Sequence, residues 1–199
     1  MKNLKAAKES IYMTGWHLTA PIFLTRPGDG TGQDALHEIL FQKAEEGVKV
    51  YVLIWDEVSL AFKLGSGEAQ QILMSKNHKN IYVIRDRGTL LSRMWTHHQK
   101  TVMIDGAVGY VGGIDVSLGR YDSDEYPVVD EEAKTYLGLD YLNPMNEKGA
   151  KYTGIVTEDH IDRKSSPRMP WHDIHMKVVG KAVLDLERNF IERWECSRN

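Results

Sequence analysis

The run Val48 to Trp55 (V-K-V-Y-V-L-I-W) most restricts how this chain can fold. Only Lys49 interrupts its apolar character, so a strand made from it needs cover on both faces, as in a parallel sheet joined by helical crossovers. The flanking sequence supplies that cover. Asp34 to Glu46 carries Leu36, Ile39, Leu40 and Ala44 at helical spacing, and Gly47 stands where a helix C-terminus favours glycine. Leu4 to Glu9 reads as the end of a helix, and Ser10 to Gly15 alternates Ile11 and Met13 with Tyr12 and Thr14, as a strand does. Downstream, Glu68 to Ser75 reads as a short helix and Ile81 to Ile84 as a strand. This order predicts an α/β fold: a mixed, mostly parallel central sheet with helices on both faces.

With 199 residues, 42% of them hydrophobic and 27% charged, the chain suits one globular domain over residues 1–199. Cys196 has no second cysteine to pair with, which is compatible with a reducing compartment. No run reaches the roughly 18 apolar residues of a membrane span, and Met1 to Ser10 is a charged helical pattern rather than a signal peptide, so no insertion in a membrane is expected. A net charge of -3 gives no global attraction for nucleic acid or anionic lipid. Between residues 76 and 100, however, Lys76, Lys79, Arg85, Arg87, Arg93 and Lys100 are opposed only by Asp86. Such a run is a solvated face or a surface that draws phosphate.

Periodicity fades in two places. A loop after Gly15 holds Pro21, Pro27 and three glycines. From Arg120 to Pro170 the chain reads as a long irregular insertion, of the kind that serves as a functional lid or a mobile segment. Its acidic residues Asp122, Asp124, Glu125, Asp130, Glu131 and Glu132 lack the glycine-centred order of an EF-hand and are read as solvated charge. Trp171 to Val179 then returns to strand character. Ala182 to Trp194 is helical, with Val183, Leu186, Phe190, Ile191 and Trp194 read as a core stripe.

The chemistry is concentrated between Trp95 and Asp115. His98, Lys100 and Asp105 form H-x-K-x-x-x-x-D, followed by Gly112, Gly113 and Asp115. Thr101 to Ile104 and Ala107 to Val111 flank a turn at Gly106, a β-hairpin pattern. Side chains two apart share a strand face, which puts His98 beside Lys100, a pair suited to a phosphate. A metal-free phosphodiester site needs a nucleophile, cations on the non-bridging oxygens and an acid for the leaving oxygen. Histidine serves as nucleophile or acid because its ordinary pKa is ~6.5, and lysine supplies a fixed cation. Asp105, at odd offset, points to the other face and is read as fixing the backbone or turn. Gly112 and Gly113 would let the backbone approach the phosphate closely. His97, His98, His172 and His175 tempt a zinc reading, but they lack a further ligand pattern.

These residues resemble the HKD signature of the phospholipase D superfamily. The stretch Gly112 to Asp122, the segment Pro170 to His175 (P-W-H-D-I-H), the helix ending Phe190 to Trp194, and Tyr12 to Pro27 are similar to the amino-terminal catalytic half of eukaryotic-type, phosphatidylcholine-hydrolysing phospholipase D. The resemblance implies that His98 is the nucleophile forming a phosphohistidine, Lys100 the phosphate clamp, Asp105 and Asp115 supports, and Asp173 the orienter of a histidine from the opposite half. Asp173 read without the resemblance is a surface or capping aspartate. The resemblance also implies no cofactor for the chemistry, with calcium dependence open, a phospholipid substrate at a membrane surface, a cytoplasmic, peripherally membrane-associated location, and no nucleic-acid partner.

The superfamily site uses two HKD motifs and this chain has one. His175-Met176-Lys177 imitates H-x-K, but Ala182 stands where the aspartate would be. Lys181 follows Gly180 where relatives carry proline, and Asp115 replaces the wider superfamily's asparagine. Three arrangements are consistent with this: the amino-terminal part of a longer enzyme completed by a second HKD half, a single-motif subunit that pairs two-fold as some nucleases of the superfamily do, or a catalytically inactive lipid-binding module. The match to the two-motif type favours the first.

Overall fold

The structure, a computed structural model, describes residues 1–26, 33–58, 64–88, 95–145 and 158–198. Pro27 and the three glycines that follow it, with Arg93 of the basic run, lie outside the described residues. The elements follow the order α1 (Lys2–Lys5), β1 (Ser10–Gly15), α2 (Leu36–Glu45), β2 (Lys49–Trp55), α3 (Ser66–Met74), β3 (Ile81–Asp86), β4 (Thr101–Ile104), β5 (Val108–Gly112), β6 (His175–Val179) and α4 (Val183–Arg198). The strands form one mixed sheet in the order β3-β2-β1-β4-β5-β6.

Its two halves differ. β3, β2 and β1 pair in parallel, whereas β1–β4, β4–β5 and β5–β6 are antiparallel. The expected parallel pairing therefore holds for the first half only. The expected hairpin accounts for one antiparallel pair, since the tight turn between β4 and β5 can join only antiparallel strands. Asp105 and Gly106 both have positive φ there, 53° and 60°, and Ala107 N–H closes the turn on the Ile104 carbonyl. An Asp-Gly pair suits such a hairpin.

Strand alternation sorts the core onto two faces. Ile11, Met13, Val50, Val52, Ile54, Ile81, Val83 and Ile104 pack against Leu4, Leu36, Ile39, Leu40, Ala69 and Leu73 of α1 to α3. Met103 and Leu53 pack on the other side against Val183 and Phe190 of α4. There Tyr12, Tyr51 and Tyr82 are in register on adjacent strands and stack, with centroids 5.3 and 4.9 Å apart. Phe190 and Trp194 lie on that ladder, and burial of Phe190 alone contributes about 1.5–3 kcal/mol. Ile191, assigned to the same stripe, is 47% exposed instead. Gly109 faces α4, where a Cβ would meet Leu186 at 2.9 Å.

Two boundaries move for identifiable reasons. α1 stops at Lys5, and the amides of Lys8, Glu9 and Ser10 are taken by the Asp105 carboxylate, which ends the helical pattern early. β6 begins only at His175, since the amide of Trp171 is held by Asp122 rather than by a strand.

The segment after Arg120 has no regular element among its described residues except a 3-10 turn at Gly138–Asp140. It nevertheless packs. Tyr136, Tyr141 and Ile161 form a small core, and Arg168 and Arg163 lie over the rings of Tyr136 and Tyr141 at 3.8 and 4.3 Å. The acidic cluster is accordingly not all solvated. Asp122 pairs with Arg168, and Asp130 accepts the amides of Lys134, Thr135 and Tyr136. Asp124, Glu125, Glu131 and Glu132 remain exposed. No helix among the described residues is long and apolar enough to cross a membrane.

Candidate active site

The carboxyl ends of β1, β2, β3 and β5 and the amino ends of β4 and β6 share one side of the sheet, the usual place for a site in such folds. His98 and Lys100 lie in the extended lead-in to β4, before its first ladder residue, rather than on the strand itself. Alternation sorts this lead-in too. His97 bonds Gln99 at 3.0 Å, and Gln99 donates to Asn189 of α4 at 2.8 Å, which fixes the side facing α4. His98 and Lys100 take the opposite side.

Lys100 is 5% exposed, and its Nζ donates to the His98 carbonyl at 3.0 Å and lies 3.3 Å from Asp115 Oδ2. Asp115, 3% exposed, accepts the amides of Trp16 and His17 with its other oxygen. One carboxylate thus ties the end of β1 to the ammonium. The Trp16 ring completes the arrangement, 5.8 Å from Lys100 Nζ, 5.2 Å from the exposed His98 imidazole and stacked on Trp55 at 6.0 Å.

The electrostatics favour neutral histidines. Burial, then the Lys100 charge, lowers the His98 pKa against the opposing pull of Asp115 and Asp173. The shift favours the unprotonated imidazole, the form with a lone pair to offer. Burial also lowers the pKa of Lys100, and Asp115 counteracts it. His17 is pushed down to about 3 by burial and by the charges of Arg120 and Lys100.

The remaining expected residues are placed as follows. Asp105 lies beyond β4, a strand about 13 Å long at roughly 3.3 Å per residue, and its oxygens hold the amides of Lys8, Glu9 and Ser10. It shapes the entry to β1 and is no part of the His98–Lys100 cluster. Gly112 and Gly113 stand where the fold leaves no room for a side chain. A Cβ on Gly112 would lie 2.3 Å from the Ile174 carbonyl oxygen, and one on Gly113 2.0 Å from Asp173 Oδ1, so these glycines admit the chain entering β6. Asp173 is exposed on that rim, with Oδ1 accepting the amide of Ile174.

The four histidines do not converge, since His97 faces α4 and His172 packs on Tyr126 at 5.2 Å. Among the described residues no three His, Cys, Asp or Glu are grouped to hold a metal. The basic run is not one face either. Glu38 lies 3.4 Å from Lys76, Asp56 pairs with both Arg85 and Arg87, and Asp115 with Lys100. The opposing acids come from other elements, which counting along the sequence does not reveal.

Trp16, His17, Arg120 and Trp171 were not singled out from sequence. All four fall inside the stretches that carry the resemblance, but nothing in their spacing shows that they meet.

The phospholipase D family model matches residues 3–199. The chain belongs to the phospholipase D family. Similar phospholipase D proteins include phospholipase D B of Dictyostelium discoideum, 40% identical over 195 residues, covering 97% of this chain and 16% of that protein. Phospholipase D zeta 1 of Arabidopsis thaliana is 36% identical, covering 98% and 18%, and phospholipase D2 of Bos taurus is 36% identical, covering 96% and 23%. The chain therefore spans less than a quarter of the length of these phospholipase D relatives. The crystal structure of Nuc from Salmonella typhimurium, a phospholipase D family member, aligns with a TM-score of 0.51 at 13% identity, over 98% of this chain and 83% of that one, a likeness of fold.

Proposed function

We propose that this chain supplies one half of a phosphodiester-cleaving site acting on phosphatidylcholine at a membrane surface, releasing choline and leaving phosphatidic acid. The observation that carries the reading is the exposed His98 imidazole beside a buried ammonium paired with Asp115. The names of the full-length relatives support the lipid substrate.

The His98 lone pair forms a P–N bond as the P–O bond to choline breaks, and Lys100 holds the negative non-bridging oxygens during the displacement. The leaving oxygen takes its proton from an acid outside this chain, a histidine of a second HKD half, with Asp173 on the rim as its orienter. Water, or an alcohol, then attacks phosphorus, giving its proton to that second histidine as the P–N bond breaks and His98 is restored. The second half lies either in the remainder of a longer protein or in a partner chain.

The test is trapping in the complete enzyme. Substrate labelled at phosphorus should leave acid-labile phosphate on His98, and His98→Asn should abolish both label and choline release. Label on another residue would remove the assignment.

A further inference from the structure

Arg120 carries a charge that no direct ion pair answers among the described residues. Its Nε is buried without a hydrogen-bond partner, and the guanidinium forms no ion pair among the described residues. Its plane is nevertheless fixed, with Cζ 3.7 Å from the centre of the Trp171 ring. Trp171 is itself anchored, its amide donating at 2.7 Å to Asp122, which the fully buried Arg168 holds in turn. Stacking occupies the face of a guanidinium and leaves its in-plane N–H donors available.

The location matters as much as the lack of a partner. The charge of Arg120 acts on Lys100, His98 and His17, and Arg120 in turn feels Asp115 and Asp173. A partly desolvated cation balanced only by carboxylates that it does not touch is costly to maintain. Lys100 is a single point charge with one partner already, whereas a planar fork matches two oxygens of a tetrahedral anion.

We propose that Arg120 is a second cationic ligand of the phosphoryl group at this site, and that the pair Lys100–Arg120 selects a phosphomonoester dianion. The proposal rests on the reading of the His98 cluster as a phosphodiester site. A diester offers two non-bridging oxygens and one negative charge, while a monoester offers three terminal oxygens and about -1.5 to -2 charges near neutrality, enough to take both the free N–H of Lys100 and the guanidinium fork. Two cations match the second better, so the product-like anion is held more tightly than the substrate-like one.

The experiment is NMR of the histidine side chains in the full chain, titrated with orthophosphate, with a short-chain phosphatidic acid and with a short-chain phosphatidylcholine. His98 reports binding. His78, at the opposite end of the sheet, reports an intact fold. Arg120→Gln should weaken both monoester-type anions at least about tenfold, and the diester less. Arg120→Lys, which keeps the charge but not the fork, should fall between.

Unchanged monoester affinity in Arg120→Gln, with Lys100→Met weakened, would overturn the role of Arg120 while leaving the site reading intact. That result would also be expected if the guanidinium instead met a carboxylate of the second half. No response of His98 to either anion in the unmodified chain would remove the site reading and the inference together. If Arg120→Gln disturbs His78, the lysine variant decides, and full monoester affinity there refutes the proposal.

Discussion

Lys100–Asp115 and Arg168–Asp122 are both cation–carboxylate pairs withdrawn from water, and they differ in how many of their donors and acceptors are spoken for. Arg168 uses Nη1 on Asp122 and the Pro127 carbonyl, uses Nη2 on Asp122 and the Tyr121 carbonyl, and covers the Tyr136 ring. Asp122 accepts further bonds from the Tyr136 hydroxyl and the Trp171 amide. Lys100 has one short bond, to a carbonyl, and a looser contact at 3.3 Å, which leaves an N–H uncommitted. Arg168 commits both terminal nitrogens and leaves only Nε without a partner, so it staples an irregular chain; Lys100, with a free N–H beside an exposed imidazole, keeps capacity for a ligand.

The comparison breaks most visibly at Arg168. Arg168→Met leaves Asp122 buried without its cation and should cost about 3–5 kcal/mol in a denaturant melt; a loss under about 1 kcal/mol would show that the segment after Arg120 is held by its small aromatic core instead. Acid should act on the same staple. Burial alone would raise the Asp122 pKa, but the bonds from Arg168, Tyr136 and the Trp171 amide hold it below the ordinary 3.8. The folded value lies under the unfolded one, so the stabilisation is complete above that ordinary value and fades as pH falls through the depressed one. Tryptophan fluorescence followed below about pH 4 should register the loosening around Trp171 before the sheet melts.

A smaller effect is expected where the two regions join. Gly112→Ala would drive a Cβ into the Ile174 carbonyl at 2.3 Å, a backbone atom that cannot step aside, and should cost about 1–3 kcal/mol. Gly113→Ala meets the Asp173 side chain, which can rotate away, and should cost less. Thermal melts of the two variants rank them, and the reverse order would mean that the Asp173 carboxylate is held harder than the β5–β6 backbone.

The same contrast marks how much the sequence disclosed. The parallel half was legible because burial on two faces leaves a continuous apolar run, as in Val48 to Trp55, and the helices left their spacing on Leu36, Ile39 and Leu40. The motif was legible because His98, Lys100 and Asp115 lie close in sequence. Three-dimensional neighbours from distant segments were not. Asp122 read as solvated charge because its partner Arg168 lies 46 residues away, and Arg120 gains its significance only from the Trp171 ring beneath it. Strand parity already set Asp105 apart from His98 as a carboxylate that fixes backbone, but spacing could not say that the amides it holds are those of Lys8, Glu9 and Ser10.

The smallest expected change in stability is the most informative about the site. Lys100→Met removes one loose contact to Asp115, which keeps the amides of Trp16 and His17, whereas Arg168→Met strips four bonds and the cover on Tyr136. The loss in Lys100→Met should stay at about 1–2 kcal/mol, well under that of Arg168→Met. The pKa of His98 should move more clearly. Burial, its larger depressing cause, remains, while the ammonium charge that adds to it is gone and Asp115 still pulls upward. The pKa must therefore rise part of the way back toward its ordinary 6.5, and the imidazole will be protonated over more of the neutral range. An NMR titration of His98 reads this directly. A pKa that stayed fixed or fell would mean that the ammonium does not act on the imidazole at all, and the unsaturated pair would then be one more structural staple, no different in kind from Arg168–Asp122.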